Sequence, residues 1–358
     1  MDELLFGIDI WLQEYTHLKS RRMGFVTNSV AHTRNDVKSV DALLANGFNV
    51  VKLFSPEHGF SAAGEDGVAQ AHSVYEGTTI PVISLYGDRL APSMDDLKDV
   101  DLLLFDIPDV GCRFYTYLWT MTYVMEAAAA AGKPLFVLDR PNPLGGNPSK
   151  IEGPGLNERK YSSFIGRWDI PIRHNKTLGE LATYFNETKH LGVDLTVVNT
   201  RNWDRMAIAP TNWIFRPTSP AIPNWETAMV YPGMGLLEGI EVNEGRGTPY
   251  PFRIFGAPWM NPVRVLDALR SKALAGVRFE HQSYVPEWGL FAGEVIYGMR
   301  IIVTDYQLFK PVATGIALLK SIYEVHSYNV PERLYKTVVN PSGKGHLEKL
   351  LGCRLDEC

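Results

Sequence analysis

Carboxylates directly follow two of the apolar, β-branched segments in the first third of this 358-residue chain. Glu57 comes after residues 50–54, and Asp106 and Asp109 come after residues 102–105. Two carboxylates held apart in one crevice are what hydrolysis of a glycosidic bond requires, one as the acid and the other as base, nucleophile or stabiliser. A carboxylic acid in a partly desolvated crevice has a raised pKa, which keeps it protonated near neutral pH. These residues therefore predict a crevice suited to acid–base chemistry, with Glu57 as the leading candidate for the acid.

Structural roles are the alternative for the same residues. In that interpretation Glu57 caps a following helix or pairs with an arginine, and one of the aspartates forms a buried ion pair with Arg113 that holds the turn closed. Tyr115 is the aromatic residue nearest this turn and the best placed to stack on a ligand ring. His174 precedes a Thr177–Glu180 capping box, so it lies just outside a helix and either faces the crevice or packs inside the fold.

A second group of polar residues, flanked by glycines, occurs at positions 243–248. Glycine on either side of Arg246 lets the backbone approach a ligand closely, and arginine is suited to bidentate capture of a carboxylate. Asn243 and Glu244 add an amide and a carboxylate to the same segment. A tight turn without any ligand would explain the glycines equally well.

The segments that must position these residues alternate between strand and helix patterns. In an open parallel sheet the ligand crevice lies outside the carboxyl ends of the strands. The polar strand endings that we expect at this crevice are Asn28, Glu57, Tyr86, Asp106, Asp109, Asp139 and Arg140. Helix patterns at 36–46, 93–99 and 116–131, with a sixth strand at 195–199, complete right-handed crossovers. We therefore predict an α/β fold with a Rossmann-like parallel sheet.

Five prolines between residues 210 and 232 interrupt regular elements and mark a connector. We place a domain boundary near residue 225. The prediction is a Rossmann-like catalytic domain at 1–225, followed by a smaller α+β domain at 226–358 that closes the active-site cleft. A strand around 294–304 and a helix at 312–323 are expected in the second domain.

Charge and missing motifs argue against several classes of function. A net charge of −5 gives no basic footprint for nucleic acid. No GxGxxG follows the first strand and no GxxxxGK[ST] occurs, which disfavours a nucleotide cofactor. No metal-ligand spacing supports a site made by Glu57, His58 and His174. We expect no cofactor, no metal and no nucleic-acid partner, and the sequence does not indicate an oligomeric state.

The three cysteines, at 112, 353 and 358, are odd in number and irregularly placed, which argues against a disulfide framework or a CxxC metal site. The first residues lack the basic and apolar regions of a secretory signal, and no apolar stretch reaches the ~20 residues that span a bilayer. We therefore expect a cytoplasmic protein without a membrane span. A trimmed form of an exported precursor would look the same.

Eight short motifs occur in order along nearly the whole chain. They lie at 26–28, 54–60, 84–87, 105–111, 113–117, 138–143, 152–154 and 244–248. This ordered set resembles the bacterial NamZ-type family of exo-β-N-acetylmuramidase glycoside hydrolases.

The resemblance implies a Rossmann-like N-terminal domain with a smaller C-terminal domain. It also implies release of N-acetylmuramic acid from the non-reducing end of peptidoglycan fragments, with Glu57 in the Ser-Pro-Glu-His-Gly motif as the leading catalytic carboxylate. The chain departs from the family pattern at Pro108, at Asn175–Lys176 and at Ala221. These differences bear on the exact substrate more than on the reaction class.

The resulting hypothesis is an exo-acting glycosidase of cell-wall turnover and recycling that acts on a small carbohydrate or muropeptide. Glu57 is its general acid, assisted by His58, and Asp109 or Glu244 takes the second catalytic role. A substrate carboxylate is expected at Arg113 or Arg246. The residues expected to bind substrate are Asn28, Tyr86, Asp106, Arg113, Tyr115, Asp139, Arg140, His174, Asn243 and Arg246. The alternatives are a non-catalytic muropeptide- or sugar-binding protein and a transferase with an activated donor, against which the missing phosphate loops count.

Overall fold

The strands and helices follow the alternation that the sequence predicts. The computed structural model describes residues 3–69, 71–210, 212–327 and 329–358. The strands are β1 (Met23–Thr27), β2 (Val50–Ser55), β3 (Ser73–Val74), β4 (Pro81–Ser84), β5 (Leu102–Asp106), β6 (Leu135–Leu138), β7 (Leu195–Val198), β8 (Ile254–Phe255), β9 (Val277–Tyr284) and β10 (Ile296–Val303). The α-helices are α1 (Gly7–Glu14), α2 (Ser39–Ala45), α3 (Met94–Leu97), α4 (Tyr117–Ala130), α5 (Glu158–Tyr161), α6 (Leu178–Thr188), α7 (Trp225–Met234), α8 (Pro262–Arg270), α9 (Pro311–Val325) and α10 (His346–Leu351). Short 3₁₀ turns lie at Thr16–Leu18, Pro148–Lys150 and Gly235–Gly239.

A seven-stranded sheet with the order β3-β4-β2-β1-β5-β6-β7 forms the larger part of the fold. All its strands are parallel except β3, which pairs antiparallel with β4 at the edge. Every residue of the central strands β1 and β5 is buried, as expected for parallel strands covered on both faces by helices. The predicted α/β class with a Rossmann-like parallel sheet is confirmed.

The helices of this sheet are fixed by local sequence signals and by close packing. Thr177 and Glu180 form the predicted capping box at the start of α6. Gly7 begins α1 against the end of β6, where a Cβ atom would lie 2.3 Å from the backbone nitrogen of Asp139. Only glycine allows that approach, so α1 can cover the sheet at this point. The core below it includes Trp11 and neighbouring strand side chains.

The chain divides into two compact units, and neither is continuous in sequence. The first unit comprises residues 1–111, 115–147 and 175–220, and the second comprises 112–114, 148–174 and 221–358. The predicted domains at 1–225 and 226–358 follow chain order instead, and that division stays a prediction.

The second unit contains a small antiparallel sheet, of order β8-β10-β9, together with helices α7 to α10. Its β10 and α9 correspond to the strand and the helix expected near 294–304 and 312–323.

Two cysteines correct the sequence-based view. Cys353 and Cys358 form a single disulfide, which the argument against a disulfide framework did not anticipate. The bond joins residues five positions apart, so it closes only a short loop near residue 355. Cys112 is a buried thiol. Within the described parts of the chain, no helix is both long and apolar enough to cross a membrane.

Candidate active site

Glu57 lies just beyond β2, and both of its carboxylate oxygens accept hydrogen bonds. The Gly67 amide donates to Oε1 at 2.8 Å, and the Thr116 hydroxyl donates to Oε2 at 2.7 Å. The side chain is buried, with 7% of the residue exposed. Both oxygens therefore have a partner within the fold, which fixes the position of the carboxyl group. The general-acid role expected from the sequence stays a prediction.

The loop after Glu57 folds back over it. His58 adopts a left-handed backbone conformation, with φ of 66°, and Gly59 follows with φ of 70°. The His58 ring lies 2.8 Å from the Gly64 carbonyl through Nδ1 and 3.5 Å from the Asp66 carboxylate through Nε2. Strained residues of this kind persist where the surroundings hold them, often at functional sites. His58 therefore holds the loop that delivers an amide to Glu57.

A cluster of buried polar groups surrounds Glu57 at the carboxyl end of β1 and the start of α4. Tyr117 is fully buried, lies near Glu57 and Asn28, and donates a hydrogen bond to the Thr218 carbonyl at 2.8 Å. The amide of Asn28 is 1% exposed and makes no hydrogen bond of normal geometry within the described residues. Buried amides are nearly always satisfied, so one left in this state suits a group that binds a ligand. The predicted substrate-binding role of Asn28 remains a proposal that this observation supports.

Asp109 follows β5 and lies on the wall of a cavity of about 820 Å³ in the first unit. Its Oδ2 accepts a hydrogen bond from the Gly111 amide at 2.9 Å. Burial raises the pKa of Asp109 to about 6, and the amides of Gly111 and Val110 only partly oppose this effect. A carboxyl group with that pKa can carry a proton near neutral pH and release it. Asp109 is therefore the better candidate for the acid.

Two tyrosines expected at the crevice are buried in the first unit. Tyr115 packs edge-on against Tyr117 with ring centroids 4.9 Å apart, and its hydroxyl lies near the side chains of Thr218 and Ser219. Burial raises the pKa of Tyr115, which keeps its hydroxyl a neutral donor. Tyr86 follows β4 and is 2% exposed. Their substrate contacts remain predictions.

Asp106 and Arg140 pair with each other, which differs from the Asp–Arg113 pair considered from the sequence. The Arg140 guanidinium donates to both Asp106 oxygens, at 2.5 and 2.9 Å, and also to the His32 carbonyl at 2.8 Å. Asp106 has no exposed surface. The pair thus joins the ends of β5 and β6 to the loop after β1. Asp106 holds Arg140, which lines the 820 Å³ cavity, and the substrate contacts expected of both residues stay predictions.

Asp139 binds groups inside the fold, and the expectation that it binds substrate stays a prediction. Its oxygens accept hydrogen bonds from the Thr177 hydroxyl at 2.7 Å and the Gly179 amide at 2.9 Å. Both donors belong to the start of α6, where a carboxylate satisfies backbone amides. Burial raises the pKa of Asp139 to about 6, as it does for Asp109. Asp139 is not among the residues that line the cavity.

Arg113 binds backbone carbonyls inside the second unit, and its expected contact with a substrate carboxylate stays a prediction. It is fully buried, and its guanidinium donates to four backbone carbonyls at 2.6 to 2.9 Å. The acceptors are Pro154, Ile170, Leu350 and Leu351. Burial lowers the pKa of Arg113 to about 10, which leaves it charged at neutral pH.

Replacing Arg113 with Met should lower the free energy of unfolding by about 3 kcal/mol, because buried carbonyls lose their donors. Urea unfolding followed by circular dichroism would measure this loss. Arg159→Met is the matched control, since Arg159 is exposed on α5 and should change stability by less than about 0.5 kcal/mol. Equal midpoints for the two variants would contradict the assignment.

The glycine-flanked segment at 243–248 forms a buried ionic turn. Glu244 is 1% exposed and lies between Arg246 at 2.5 Å and Arg333 at 2.6 Å. Burial alone would raise the pKa of Glu244, but the two arginines hold it below its usual value. The Asn243 amide donates to the Arg246 and Leu290 carbonyls and accepts from the Gly245 amide.

These contacts bear on three expectations. Glu244 is held as a carboxylate between two cations, which disfavours a second catalytic role that stays a prediction. Arg246 also binds Glu238 at 2.7 Å, and the Asn243 side chain is bound to Arg246 and Gly245 of the turn and to Leu290 outside it. The alternative of a tight turn describes this segment better than a ligand site does.

His174 is 2% exposed and belongs to the second unit. Glu57 belongs to the first unit, so the expected grouping of His174 with Glu57 stays a prediction. Among the residues that the structure describes, no three His, Cys, Asp or Glu side chains could hold a metal ion together.

Several residues at the site were not predicted. Gly67 and Thr116 bind Glu57, and Trp213 lines the cavity beside Asp109. Thr116 gives a usable signal, since it immediately precedes a helix that follows a strand ending. The Gly67 amide gives none, because its role depends on the path of a loop.

Family models match almost the whole chain. Residues 23–226 match the model described as exo-beta-N-acetylmuramidase NamZ, N-terminal, and residues 229–355 match its C-terminal counterpart. The chain is also similar to the peptidoglycan beta-N-acetylmuramidase NamZ of Bacillus subtilis strain 168. The two are 42% identical over 323 residues, which cover 89% of this chain and 77% of that protein.

Two crystal structures of DUF1343 family proteins from Bacteroides fragilis share the fold. The first has a TM-score of 0.87 and 30% identity, and the match covers 98% of this chain and 89% of that one. The second has a TM-score of 0.73 and 28% identity, with 99% and 93% of the two chains covered.

Proposed function

Since the chain belongs to the NamZ family of exo-β-N-acetylmuramidases, it is a glycoside hydrolase, and we propose that it releases N-acetylmuramic acid from the non-reducing end of peptidoglycan fragments. The observation that carries the mechanism is the contrast between two carboxyl groups at the same edge of the sheet. Asp109 is buried with a pKa of about 6, whereas Glu57 accepts hydrogen bonds on both oxygens. Different surroundings of this kind suit one carboxyl group to the acid role and the other to a different role in the same reaction.

In this mechanism Asp109 donates its proton to the glycosidic oxygen as the bond from that oxygen to the muramic-acid C1 breaks. The transition state of such reactions carries positive charge on the sugar ring. The Glu57 carboxylate supplies the opposing negative charge. Water then adds its oxygen to C1, and the proton that it loses returns to the Asp109 carboxylate. The free sugar and the leaving group are both released, and the enzyme is restored to its starting state.

The fold supports the charge of Glu57 in a second way. Thr116 is the residue before α4, a helix of 14 residues, and its hydroxyl binds the Glu57 carboxylate. The first turn of a helix presents unpaired amides and partial positive charge, which stabilise a nearby anion. Asn28 and Tyr117 add polar groups beside the carboxylate. These groups suit the contacts that an N-acetylated sugar needs, and we assign Asn28 to them.

A sugar-binding protein without catalysis is the competing function. It needs no proton donor, so the raised pKa of Asp109 favours the enzyme. Incubation with the disaccharide MurNAc–GlcNAc, followed by mass analysis, separates the two. Free MurNAc is the expected product. Saturable binding of the disaccharide without any product would support the binding protein and overturn the glycosidase.

The sequence predicts a cytoplasmic location, and the Cys353–Cys358 disulfide argues against it. Disulfides persist in oxidising compartments and are rare where thiols are kept reduced. Rapid alkylation of intact cells, followed by mass analysis of the C-terminal peptide, distinguishes the locations. A cytoplasmic protein should carry two alkyl groups on these cysteines, whereas an exported one should carry none.

A further inference from the structure

The cavity beside Asp109 has the size and the lining of a ligand site. Its volume is about 820 Å³, within the ~300–1,000 Å³ typical of small-molecule pockets. Its lining comes from the segment before α1 and from loops after β1, β5, β6 and β7, all within the first unit. Glu57 is not among the lining residues, whereas Asp109 is. The cavity therefore lies on the acid side of the proposed reaction centre.

Aromatic rings form one part of the cavity wall. Phe6, Trp213 and Phe215 all line it. The Trp213 ring packs edge-on against Phe6, with centroids 6.3 Å apart and planes at 87°. Arg140 covers a face of the Phe6 ring at 5.0 Å. Trp213 is thus supported by the core behind it while remaining partly exposed to the cavity.

The positive charges of the lining are compensated. Its three arginines each pair with a carboxylate: Arg34 with Glu3, Arg140 with Asp106, and Arg216 with Asp36. A lining of paired ions and aromatic rings suits a neutral ligand with an apolar face and hydroxyl groups, such as a hexose ring. A free phosphate or carboxylate would have to displace one of these pairs.

We propose that this cavity is the subsite for the saccharide on the leaving-group side of the scissile bond, a neutral N-acetylglucosaminyl unit that stacks on Trp213. The inference rests on the proposed function, because an acid must lie beside the oxygen that it protonates. Asp109 occupies that position on the cavity wall. The unit released from N-acetylmuramic acid then has a surface to occupy during the reaction.

Two substrates test the subsite. MurNAc–GlcNAc needs it, whereas N-acetylmuramyl fluoride has a leaving group too small to fill it. Trp213→Ala should raise KM for the disaccharide roughly tenfold and change kcat/KM for the fluoride by less than about twofold. Trp213→Phe should restore most of the loss. Tyr184→Ala, an aromatic change on the partly exposed surface of α6, is the control and should behave as wild type on both substrates.

Other outcomes would overturn either the subsite or the proposed function. A wild-type KM for the disaccharide in Trp213→Ala, or equal losses on both substrates, overturns the subsite. If the wild type cleaves neither substrate, the proposed function fails, and calorimetry with free GlcNAc decides the subsite alone. Binding to the wild type that is lost in Trp213→Ala supports the cavity site, and no binding to the wild type overturns it.

Discussion

Replacing Asp109 with Asn is expected to slow cleavage of MurNAc–GlcNAc about 10²- to 10⁴-fold, the usual contribution of a general acid. The same variant should cleave N-acetylmuramyl fluoride within about tenfold of the wild-type rate. Fluoride leaves without needing a proton, so the loss of the acid affects only the disaccharide. Initial rates on the two substrates measure the difference.

The pH profile gives an independent readout of the same group. The pKa of Asp109 is raised to about 6 by burial, so the protonated fraction falls tenfold for each pH unit well above that value. Wild-type kcat/KM for the disaccharide should fall in the same way above pH 6. The fluoride should lack this decline. A disaccharide profile that stays flat between pH 6 and 8 would remove Asp109 from the acid role.

Stability serves as the control for this variant. The folded-state pKa of Asp109 lies above its ordinary value of 3.8, so the folded protein binds more protons than the unfolded chain between about pH 4 and pH 6. The contribution of Asp109 to stability is therefore present at low pH and is lost as pH rises through 6. Asn does not titrate, so the variant should be at least as stable as wild type at pH 7. Lost activity then cannot be ascribed to unfolding.

Replacing Glu57 with Gln is expected to slow both substrates, by about 10³-fold, because it removes the charge that opposes the developing positive charge of the sugar. The loss should not depend on the leaving group, which distinguishes Glu57 from Asp109. The amide of glutamine also presents donors to Gly67 or Thr116, which are themselves donors. Rates on the disaccharide and the fluoride again provide the measurement.

Glu65→Gln is the matched control for Glu57. Glu65 is exposed in the same loop, so its replacement should leave both rates near the wild-type values. If Glu57→Gln lost activity only on the disaccharide, Glu57 would be the acid, as the sequence alone suggested. Near wild-type turnover of both substrates would remove Glu57 from catalysis altogether.

The sheet could be predicted because short local sequence patterns indicate its strands. Residues 50–54 and 102–105 are short apolar runs bounded by polar residues, and they form the β2 and β5 strands of a buried parallel sheet. The crevice followed from this, since carboxyl ends of parallel strands meet at one edge. Both Glu57 and Asp109 lie at that edge.

The charge state of each group could not be predicted, because it depends on contacts distant in sequence. Glu57 is bound by Thr116, which lies 59 positions away, and Asp106 pairs with Arg140 at a distance of 34 positions. Local sequence offered Arg113 as the nearest guanidinium for Asp106. Burial, which sets the pKa of Asp109, is likewise a property of the folded chain and not of its neighbours in sequence.

The contacts of Arg113 also bear on how the chain is made. Residues 112–114 belong to the second unit, and Arg113 binds carbonyls of Leu350 and Leu351 that lie 237 and 238 positions further along the chain. The chain passes between the units at residues 111, 114, 147, 174 and 220. During synthesis on the ribosome, the guanidinium of Arg113 therefore waits without these acceptors until the last helix has emerged. A nascent chain stalled before residue 350 should therefore remain sensitive to protease in the second unit.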